Sequence, residues 1–428
     1  MSSLDNRFVF PVSDKVKEEV LKQDVWSVFS PSSGHVPKDS INLGQGFMNW
    51  KPPNYILKAV EEAINIVETN HYSVPKGRAR LRNALAKFFS ASFGRQLDPE
   101  NEIVVTAGAN EGMYAFEAAF LQQDDEVILF EPFFDQYLCN TTFQGGVPVY
   151  VPMTPPANAK TAVSSSSEWK VDIGKLRAAI TPKTKMIVVN TPHNPIGKVF
   201  DADELRAIGK VAEEFNLLIC ADEVYESLTF DKEHIRIAAL DEFWGRTLTI
   251  GSAGKSFSAT GWRIGWCIGP AHLVKPTLAA TTRIVYAVNS PLQEATAVGF
   301  EDANKERYFS TQIEEYIERR AILCEALDKL GLSYTVPDGA YFILLQNERI
   351  QLPRDFVVPD LVKHRPKDWH ISWFLAQTIG VVAIPASEFY CAEHKDIGAN
   401  FTRLSFCKDV DTLRAASKRL MDLKPYLA

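Results

Sequence analysis

The sequence predicts an α/β fold: a mostly parallel sheet of seven strands between helices forms a large domain, and a smaller α+β domain is attached to it. Between about residues 100 and 270, short β-branched apolar runs alternate with amphipathic segments, which is the pattern of βαβ units. At 428 residues the chain also exceeds what one simple core holds, which favours two domains or one large α/β domain with an appendage. The predicted strands are 103–106, 127–130, 147–151, 186–190, 217–221, 247–251 and 263–268.

Two segments carry the signals of amphipathic helices. Asp201 and Glu204 have the spacing of a capping box, and the helix that they start is expected to bury one face. That face comprises Leu205, Ile208, Val211, Ala212 and Phe215. A longer helix is predicted over 311–330, ending before Gly331 in the C′ position. Its predicted apolar stripe comprises Ile313, Ile317, Cys324 and Leu327.

The alternation of strands and helices stops near residue 300, so the sequence predicts three parts. Residues 1–45 form an N-terminal arm and part of the small domain, 46–300 form the large domain, and 301–428 form the C-terminal small domain. Two stretches are predicted as surface loops: 155–168, which contains four consecutive serines, and 346–369, which is rich in proline and charge.

Charge and cysteine usage argue against several classes of function. The net charge of −7 disfavours nucleic acid and anionic membranes as partners. No run approaches the roughly 20 apolar residues that cross a bilayer. The six cysteines show neither CxxC pairs nor zinc-ligand spacing with the histidines, so no metal site is predicted. Residues 1–11 lack an apolar signal core, which predicts a cytoplasmic protein, with mitochondrial import as the alternative.

The most informative window is 251–266, with the sequence Gly-Ser-Ala-Gly-Lys-Ser-Phe-Ser-Ala-Thr-Gly-Trp-Arg-Ile-Gly-Trp. Lys255 follows a predicted strand among small residues, where its amine can be sheltered from water. A sheltered lysine loses its proton more easily, and the neutral amine attacks an aldehyde to form a Schiff base. The alternative is a solvated loop lysine, which most lysines are.

Two further motifs lie just beyond predicted strand ends, where ligand sites of parallel sheets collect. Asp222, in Ala-Asp-Glu-Val-Tyr-Glu, needs a strong partner if it is buried, and a protonated pyridine nitrogen is such a partner. Its alternative role is a helix N-cap. Asn194, in Asn-Thr-Pro-His-Asn-Pro-Ile-Gly-Lys, either serves a site or stabilises a turn between Pro192 and Pro195.

With these motifs the chain resembles the fold-type I aminotransferases of class I/II, which depend on pyridoxal 5′-phosphate (PLP). Within that group it is most similar to the kynurenine aminotransferases, also called glutamine transaminases K or cysteine-S-conjugate β-lyases. The similarity runs from Trp26 and Asn-Leu-Gly-Gln-Gly at 42–46 to Phe-Thr-Arg-Leu-Ser-Phe at 401–406. The resemblance implies PLP as the cofactor and a homodimer with shared active sites.

The resemblance also implies a role for each residue around the PLP ring. Lys255 holds PLP as a Schiff base and then moves the proton during transfer, while Asp222 pairs with the pyridinium nitrogen. Tyr225 and Asn194 hydrogen-bond the phenolic oxygen of the ring. Phe133 stacks on the ring face, or belongs to the core as most aromatic residues after a strand do.

For the phosphate group, the resemblance implies backbone and side-chain donors around a glycine turn between a strand and a helix. These are Gly108, Ala109, Asn110, Ser252 and Arg263, with Tyr72 crossing from the partner subunit.

Arg403 is expected to bind the substrate α-carboxylate, because a planar guanidinium holds a carboxylate through two hydrogen bonds. Its alternative is a strand arginine in a surface ion pair. By resemblance, Trp26, Gly46 and Asn194 line the substrate pocket, and Tyr341 belongs to the pocket or to the core.

The chain departs from the animal kynurenine enzymes at two places. Val288 and Asn289 replace an aromatic residue and a histidine ahead of Pro291, where residues of the partner subunit shape the substrate pocket. Met-Asn-Trp at 48–50 replaces the usual Pro-Asp. Both changes put a preference for aromatic substrates in question.

The first functional hypothesis is a ping-pong transaminase that converts an aromatic or sulfur-containing amino acid, best L-kynurenine to kynurenic acid, with a 2-oxo acid such as 2-oxoglutarate. The alternatives with the same cofactor are a cysteine-S-conjugate β-lyase and a glutamine- or methionine-type transaminase. A distant alternative is a non-catalytic ligand sensor on the same fold. A nicotinamide-dependent oxidoreductase is disfavoured, because residues 107–112 lack the GxGxxG spacing.

Overall fold

The computed structural model describes residues 13, 15, 16, 25–240 and 243–428. The prediction that residues 1–11 contain no signal core therefore lies outside the described residues, as does much of the predicted arm over 1–45. The domain limits at residues 45 and 300 remain a prediction.

The central sheet has seven strands in the order β2-β9-β8-β7-β6-β3-β4. Neighbouring strands are parallel from β4 through to β8, and β9 runs antiparallel to both β8 and β2. The strands are β2 Ile103–Thr106, β3 Glu126–Glu131, β4 Val147–Pro152, β6 Thr184–Asn190, β7 Leu218–Asp222, β8 Thr247–Ser252 and β9 Gly265–Ile268. All seven predicted strands are confirmed, with shifts of one or two residues at their ends.

Helices cover both faces of this sheet. Along β6, Ile187 and Val189 belong to one apolar cluster, and Met186 and Val188 belong to another on the opposite face. Such burial on both faces explains why the strands read as continuous apolar runs. The α-helices are α1 Val25–Val28, α2 Asn54–Ile64, α3 Ala79–Phe89, α4 Ala109–Phe120, α5 Asp135–Phe143, α6 Ile173–Ala178, α7 Ala202–Glu214, α8 Ala253–Ser256, α9 Ala271–Ile284, α10 Ser290–Asp302, α11 Tyr308–Lys329, α12 Asp360–Lys363, α13 Lys367–Phe374, α14 Lys395–Gly398 and α15 Val410–Leu420.

Helix α7 begins with the predicted capping box, in which Asp201 and Glu204 each accept a hydrogen bond from the other's backbone N–H. Its predicted apolar face is buried up to Ala212. The inclusion of Phe215 was wrong, because the helix ends at Glu214 and the Phe215 side chain is 40% exposed.

Helix α11 covers 308–329, close to the predicted 311–330, but only part of its predicted apolar stripe is buried. Ile317 is exposed, and the buried positions instead follow Tyr316 and Leu323. Leu327 is buried as predicted and Ile313 and Cys324 are partly buried. The stripe is incomplete because polar residues also occupy the buried face: Gln312 donates to the Ser256 carbonyl at 2.9 Å, and Arg319 lies over the Trp50 ring. Gly331, with φ +63°, follows the helix as predicted.

A second sheet combines distant parts of the chain in the order β13-β14-β11-β10-β5. Its strands are β5 Ser164–Ser165, β10 Tyr334–Val336, β11 Phe342–Gln346, β13 Ile384–Pro385 and β14 Phe401–Ser405. A two-stranded parallel pair joins β1 Ile41–Asn42 to β12 Val381–Val382. The 155–168 stretch is therefore more than a surface loop, because β5 pairs with β10.

The 346–369 stretch also differs from its predicted loop. It contains helix α12, and α13 begins within it at Lys367. None of the helices in the described part of the chain is both long and apolar enough to cross a membrane.

Candidate active site

A cavity of about 460 Å³ opens at the carboxyl ends of three neighbouring parallel strands. Asn190 ends β6, Asp222 ends β7 and Ser252 ends β8, and the first two are register partners across the sheet. The side chains of all three residues line the cavity. Its volume lies in the range of cofactor and substrate sites, and its position is where such sites form in α/β sheets.

Lys255 lies in the short helix α8 directly after β8 and lines this cavity. Its amine donates to the Tyr341 hydroxyl at 2.8 Å and to the Gly46 carbonyl at 3.3 Å. Burial lowers the pKa of the Lys255 amine to about 8. A substantial fraction of the amine is therefore neutral near physiological pH, as a nucleophilic lysine requires.

Asp222 is buried, with 3% of its surface exposed. Its carboxylate accepts hydrogen bonds from the Tyr137 hydroxyl and, at 3.3 Å, from the Val224 backbone N–H. Burial raises the pKa of the Asp222 carboxyl to about 6. The bond to Val224 is the turn bond expected of the capping alternative, but no α-helix starts there and the carboxylate faces the cavity lining.

The N-terminus of helix α4 forms another edge of the cavity. Gly108 precedes this helix with φ +83°, and a Cβ built there would lie 2.4 Å from Nη2 of Arg263. Glycine therefore permits both the left-handed turn and the close approach of the guanidinium. Ala109 and Asn110, whose amides have no intrahelical acceptors, line the cavity together with Ser252 and Arg263. These groups make a site for an anion.

Asn194 joins the two sides of the cavity. Its backbone N–H donates to Oδ1 of Asn190 at 2.8 Å, and its own Oδ1 accepts from Nη1 of Arg403 at 2.9 Å. The side chain therefore does more than stabilise a turn. Tyr225, also in the lining, packs its ring edge-to-face against Tyr341 at 5.1 Å, and burial raises the pKa of its hydroxyl well above the ordinary value.

Arg403 lies on β14 and is 1% exposed, so it is not a surface ion-pair residue. Its Nη2 donates to the Gly44 carbonyl at 2.6 Å, and its guanidinium lies 4.2 Å from the centre of the Phe342 ring. In the described part of the structure, its buried Nε has no hydrogen-bond partner. Burial lowers the pKa of the Arg403 guanidinium to about 10, because removing this cation from water costs free energy.

Trp26 and Gly46 also line the cavity, as predicted. The Trp26 indole donates to the Asp135 carboxylate at 2.7 Å, and its ring lies 5.0 Å from the Arg403 guanidinium. A Cβ at Gly46 would meet the Tyr341 and Phe342 rings at 2.9 Å, so only glycine fits without movement.

Phe133 does not line the cavity. It is buried and stacks on Tyr150 at a ring distance of 5.5 Å, whereas the neighbouring Phe134 is part of the lining. Stacking of Phe133 on the cofactor ring stays a prediction, and its burial against Tyr150 also fits the core alternative. The chain leaves β3 at Glu131, so strand alternation no longer indicates which of the two rings faces the site.

Tyr72 also lies away from this cavity. Its side chain is 87% exposed and packs edge-to-face against Tyr286 at 5.5 Å. Together with Val288 and Asn289 it lines a separate surface depression of about 530 Å³. These are the segments that the resemblance assigns to the active site of the partner subunit. They therefore lie together on one face of the chain.

The sequence reasoning missed several lining residues. Tyr137, Asp135 and Gln136 come from the first turn of α5, and Gln45 and Phe47 flank Gly46. A helix starting after Phe134 would have indicated Tyr137. Residues three positions apart lie on the same side of a helix, so Tyr137 is expected beside Phe134.

Comparison with known proteins agrees with this geometry. The family model described as aminotransferase class I and II matches residues 38–420. The chain is 43% identical to the "Probable kynurenine–oxoglutarate transaminase BNA3" of Saccharomyces cerevisiae, over 97% of this chain and 96% of that protein. It is 39% identical to the kynurenine–oxoglutarate transaminase of Dictyostelium discoideum, over 94% of each.

Among solved structures, the crystal structure of Bna3p from Saccharomyces cerevisiae is similar with a TM-score of 0.94 and 42% identity, covering 98% of this chain and all of that one. The predicted fold class and family are therefore confirmed. The chain belongs to the class I and II aminotransferases, and it is a transaminase.

Proposed function

We propose that this transaminase uses PLP to move the amino group of L-kynurenine to 2-oxoglutarate. The observation that carries the proposal is the convergence of the Lys255 amine, the Asp222 carboxylate and the Arg403 guanidinium on one cavity, beside an anion site at the start of α4. Relatives named kynurenine–oxoglutarate transaminases supply the choice of substrates.

The residues of the cavity fit PLP group by group. A phosphate suits the anion site, where the first amides of α4 lie with Ser252 and Arg263. A pyridinium nitrogen suits Asp222, whose buried carboxylate gains a cationic partner and ionises more easily. The Phe134 ring lines the cavity, and its neighbour Phe133 is the residue that the family resemblance assigns to one face of the cofactor. When bound, PLP supplies an electron sink that makes the Cα–H of the amino acid acidic.

Lys255 is the residue that we assign to proton transfer. Its amine is held by Tyr341 and the Gly46 carbonyl, and burial keeps part of it neutral. With PLP bound, a neutral Lys255 amine would be the base that takes the Cα proton of the amino acid and the acid that returns a proton on the same face. Tyr225 and Asn194 are assigned to hydrogen bonds with the ring oxygen, because both line the cavity and carry polar groups at its wall.

Arg403 is assigned to the substrate α-carboxylate. Amino donor and oxo acceptor both carry this carboxylate, so one guanidinium serves both halves of the ping-pong cycle. Its bonds to Asn194 and Gly44 and its packing on Phe342 fix the plane of the guanidinium before substrate arrives. A fixed plane orients the Cα–H bond and reduces the entropy that binding must remove.

The rim of the cavity supports an aromatic substrate with a polar group. Trp26, Phe47 and Phe342 provide apolar and aromatic surface, while Asp135 and Gln136 provide hydrogen-bonding groups. Kynurenine combines an aromatic ring with an amino group and a carbonyl, which matches this mixture.

We further propose a homodimer with shared active sites. Tyr72 is largely exposed in a single chain, and it shares one surface depression with Val288 and Asn289. Covering this face with a second copy places Tyr72 near the partner's phosphate site, as the family resemblance implies.

The test is a screen of amino donors with the purified enzyme and 2-oxoglutarate. Kynurenine should give kynurenic acid and glutamate, and double-reciprocal plots at several 2-oxoglutarate concentrations should be parallel, as a ping-pong cycle requires. Its kcat/KM should exceed those of glutamine and methionine. A higher value for those donors, or release of pyruvate and ammonia from a cysteine S-conjugate as the faster reaction, would contradict the substrate assignment and leave the transaminase fold and cofactor intact.

A further inference from the structure

A second group of chemically active side chains lies where β3 ends, outside the cavity lining. It consists of Glu131, Cys391, Glu393 and His394, and we call it the Glu131 cluster. Ligand atoms of Glu131, Cys391 and His394 all lie within 4.8 Å of one another. The His394 Nδ1 contacts a Glu131 carboxylate oxygen and lies 3.4 Å from the Cys391 Sγ.

The Glu131 cluster holds an excess of negative charge. Glu131 is buried with its side chain fully covered, and Glu393 contacts the Cys391 thiol from the solvent side. The carboxylates of Glu393 and Glu131 both lie within hydrogen-bonding reach of that thiol. Within the described ranges, His394 is the basic side chain that forms an ion pair with Glu131.

A comparable cluster elsewhere in the chain has a different composition. There, Glu223, Glu226 and His234 also bring ligand atoms within 4.8 Å. Arg236 forms ion pairs with both glutamates, so a permanent cation already contacts both carboxylates. The Glu131 cluster has an ionisable imidazole in place of this arginine, and it adds a thiol. The cluster around Glu223 is thus an ion-pair network centred on an arginine, whereas the Glu131 cluster has the donors of a metal site.

We propose that the Glu131 cluster binds one Zn²⁺ through Glu131, Cys391 and His394, with Glu393 or water as the fourth ligand. Thiolate, imidazole and carboxylate are the donors that zinc takes in proteins. A tetrahedral site with ordinary Zn–S and Zn–N lengths places sulfur and nitrogen about 3.5 Å apart, close to the observed 3.4 Å. Zinc binding displaces the thiol proton and replaces the direct contact between His394 and Glu131.

Such an ion would join two walls of the substrate cavity. Glu131 directly precedes the segment that supplies Phe134 and Asp135 to the lining. Cys391 follows Phe389, whose ring lies 4.9 Å from the Arg403 guanidinium and whose carbonyl accepts from the Phe133 N–H at 2.8 Å. The site is therefore structural: it holds the Arg403 side of the pocket against the end of β3.

The experiment is a Co²⁺ and Zn²⁺ titration of the tag-free holoenzyme. Tetrahedral Co²⁺ with a thiolate ligand absorbs in the red, away from the cofactor, and Zn²⁺ affinity is read by competition with a chromophoric chelator. We expect one ion per chain, a red band that Cys391→Ser abolishes, and affinity at least about 100-fold weaker in His394→Gln, a larger loss than outer-shell changes cause. Cys324→Ser, which removes another partly buried thiol, should bind as the unaltered enzyme does.

Two results would overturn the proposal. One is the absence of a thiolate–Co²⁺ band in the unaltered protein, a measurement that does not depend on the folding of any variant. The other is equal Zn²⁺ affinity in all four proteins, which would mean adventitious binding and leave Glu131 and His394 as an ion pair alone.

Discussion

The two ends of the cavity are built in different ways. At one end, Asp222 and Ser252 lie at the tips of adjacent parallel strands, and Lys255 follows within three residues. At the other end, Arg403 and Trp26 come from near the two termini of the chain. The strand end is thus fixed by the sheet itself, whereas the substrate end depends on packing between remote segments.

The electrostatics of the two ends differ in the same way. At the strand end, burial lowers the pKa of Lys255 and raises that of Asp222, which moves both groups toward the neutral range where protons are exchanged. At the substrate end, burial lowers the pKa of Arg403 only to about 10, so the guanidinium stays charged. The strand end is suited to chemistry, and the substrate end is suited to binding a fixed anion.

The largest expected effect is on the strand end. Lys255→Ala removes the amine that we assign to proton transfer, so turnover should fall by up to about 10⁴-fold. The measurement is kynurenic acid formation, with the exposed Lys58→Ala as the matched control. Transamination by Lys255→Ala at a rate comparable to that of the unaltered enzyme would refute the assignment of proton transfer to the strand end.

The next effect belongs to the substrate end. Arg403→Gln should weaken binding of both donor and acceptor carboxylates by about 2 to 5 kcal/mol, or roughly 30- to 5,000-fold. KM should rise for kynurenine and for 2-oxoglutarate alike, because both use the same guanidinium. An unchanged KM for either substrate would remove Arg403 from that role.

A smaller effect is expected for Asp222→Asn. The variant keeps the shape of the side chain but loses its charge, which costs about 1.5 to 3 kcal/mol for a charged hydrogen bond, or roughly 10- to 150-fold in kcat. Cofactor retention during dialysis should weaken as well. If KM for the substrates rose while kcat stayed the same, the two ends would not be functionally distinct.

The smallest effect concerns Tyr137, which donates to Asp222. That bond lowers the pKa of Asp222, so Tyr137→Phe should raise it further and move the acid limb of the pH–rate profile to higher pH. The activation free energy should rise by about 0.5 to 1.5 kcal/mol, so kcat should fall roughly 2- to 12-fold.

The matched control for Tyr137→Phe is Tyr334→Phe, which removes a similar tyrosine–aspartate bond to Asp328 far along the chain. An acid limb that moves equally in both variants would show a general effect of stability.

The strand end was predictable because its signals are local. Each strand reads as a short apolar run, and polar residues at the ends of neighbouring parallel strands must meet. Lys255, Asp222 and Asn194 could therefore be placed together from sequence, and the family resemblance added the α4 turn.

The substrate end was less predictable because it depends on contacts across hundreds of residues. The hydrogen bond of Tyr341 to the Gly46 carbonyl has no local signature, so the sequence left Tyr341 between pocket and core. No periodic pattern continues past the end of β3, so the sequence alone does not indicate whether Phe133 or Phe134 faces the site. The same limit hid the Glu131 cluster, since Glu131 and Cys391 are 260 residues apart.

The most direct test of the central claim is to locate the attachment of PLP. Holoenzyme is reduced with borohydride near pH 8, close to the pKa of about 8 for Lys255, and its peptides are analysed by mass spectrometry. The account predicts a phosphopyridoxyl group on the peptide that contains Lys255 and its loss in Lys255→Ala. A label on another lysine, or no label in enzyme that transaminates, would contradict it.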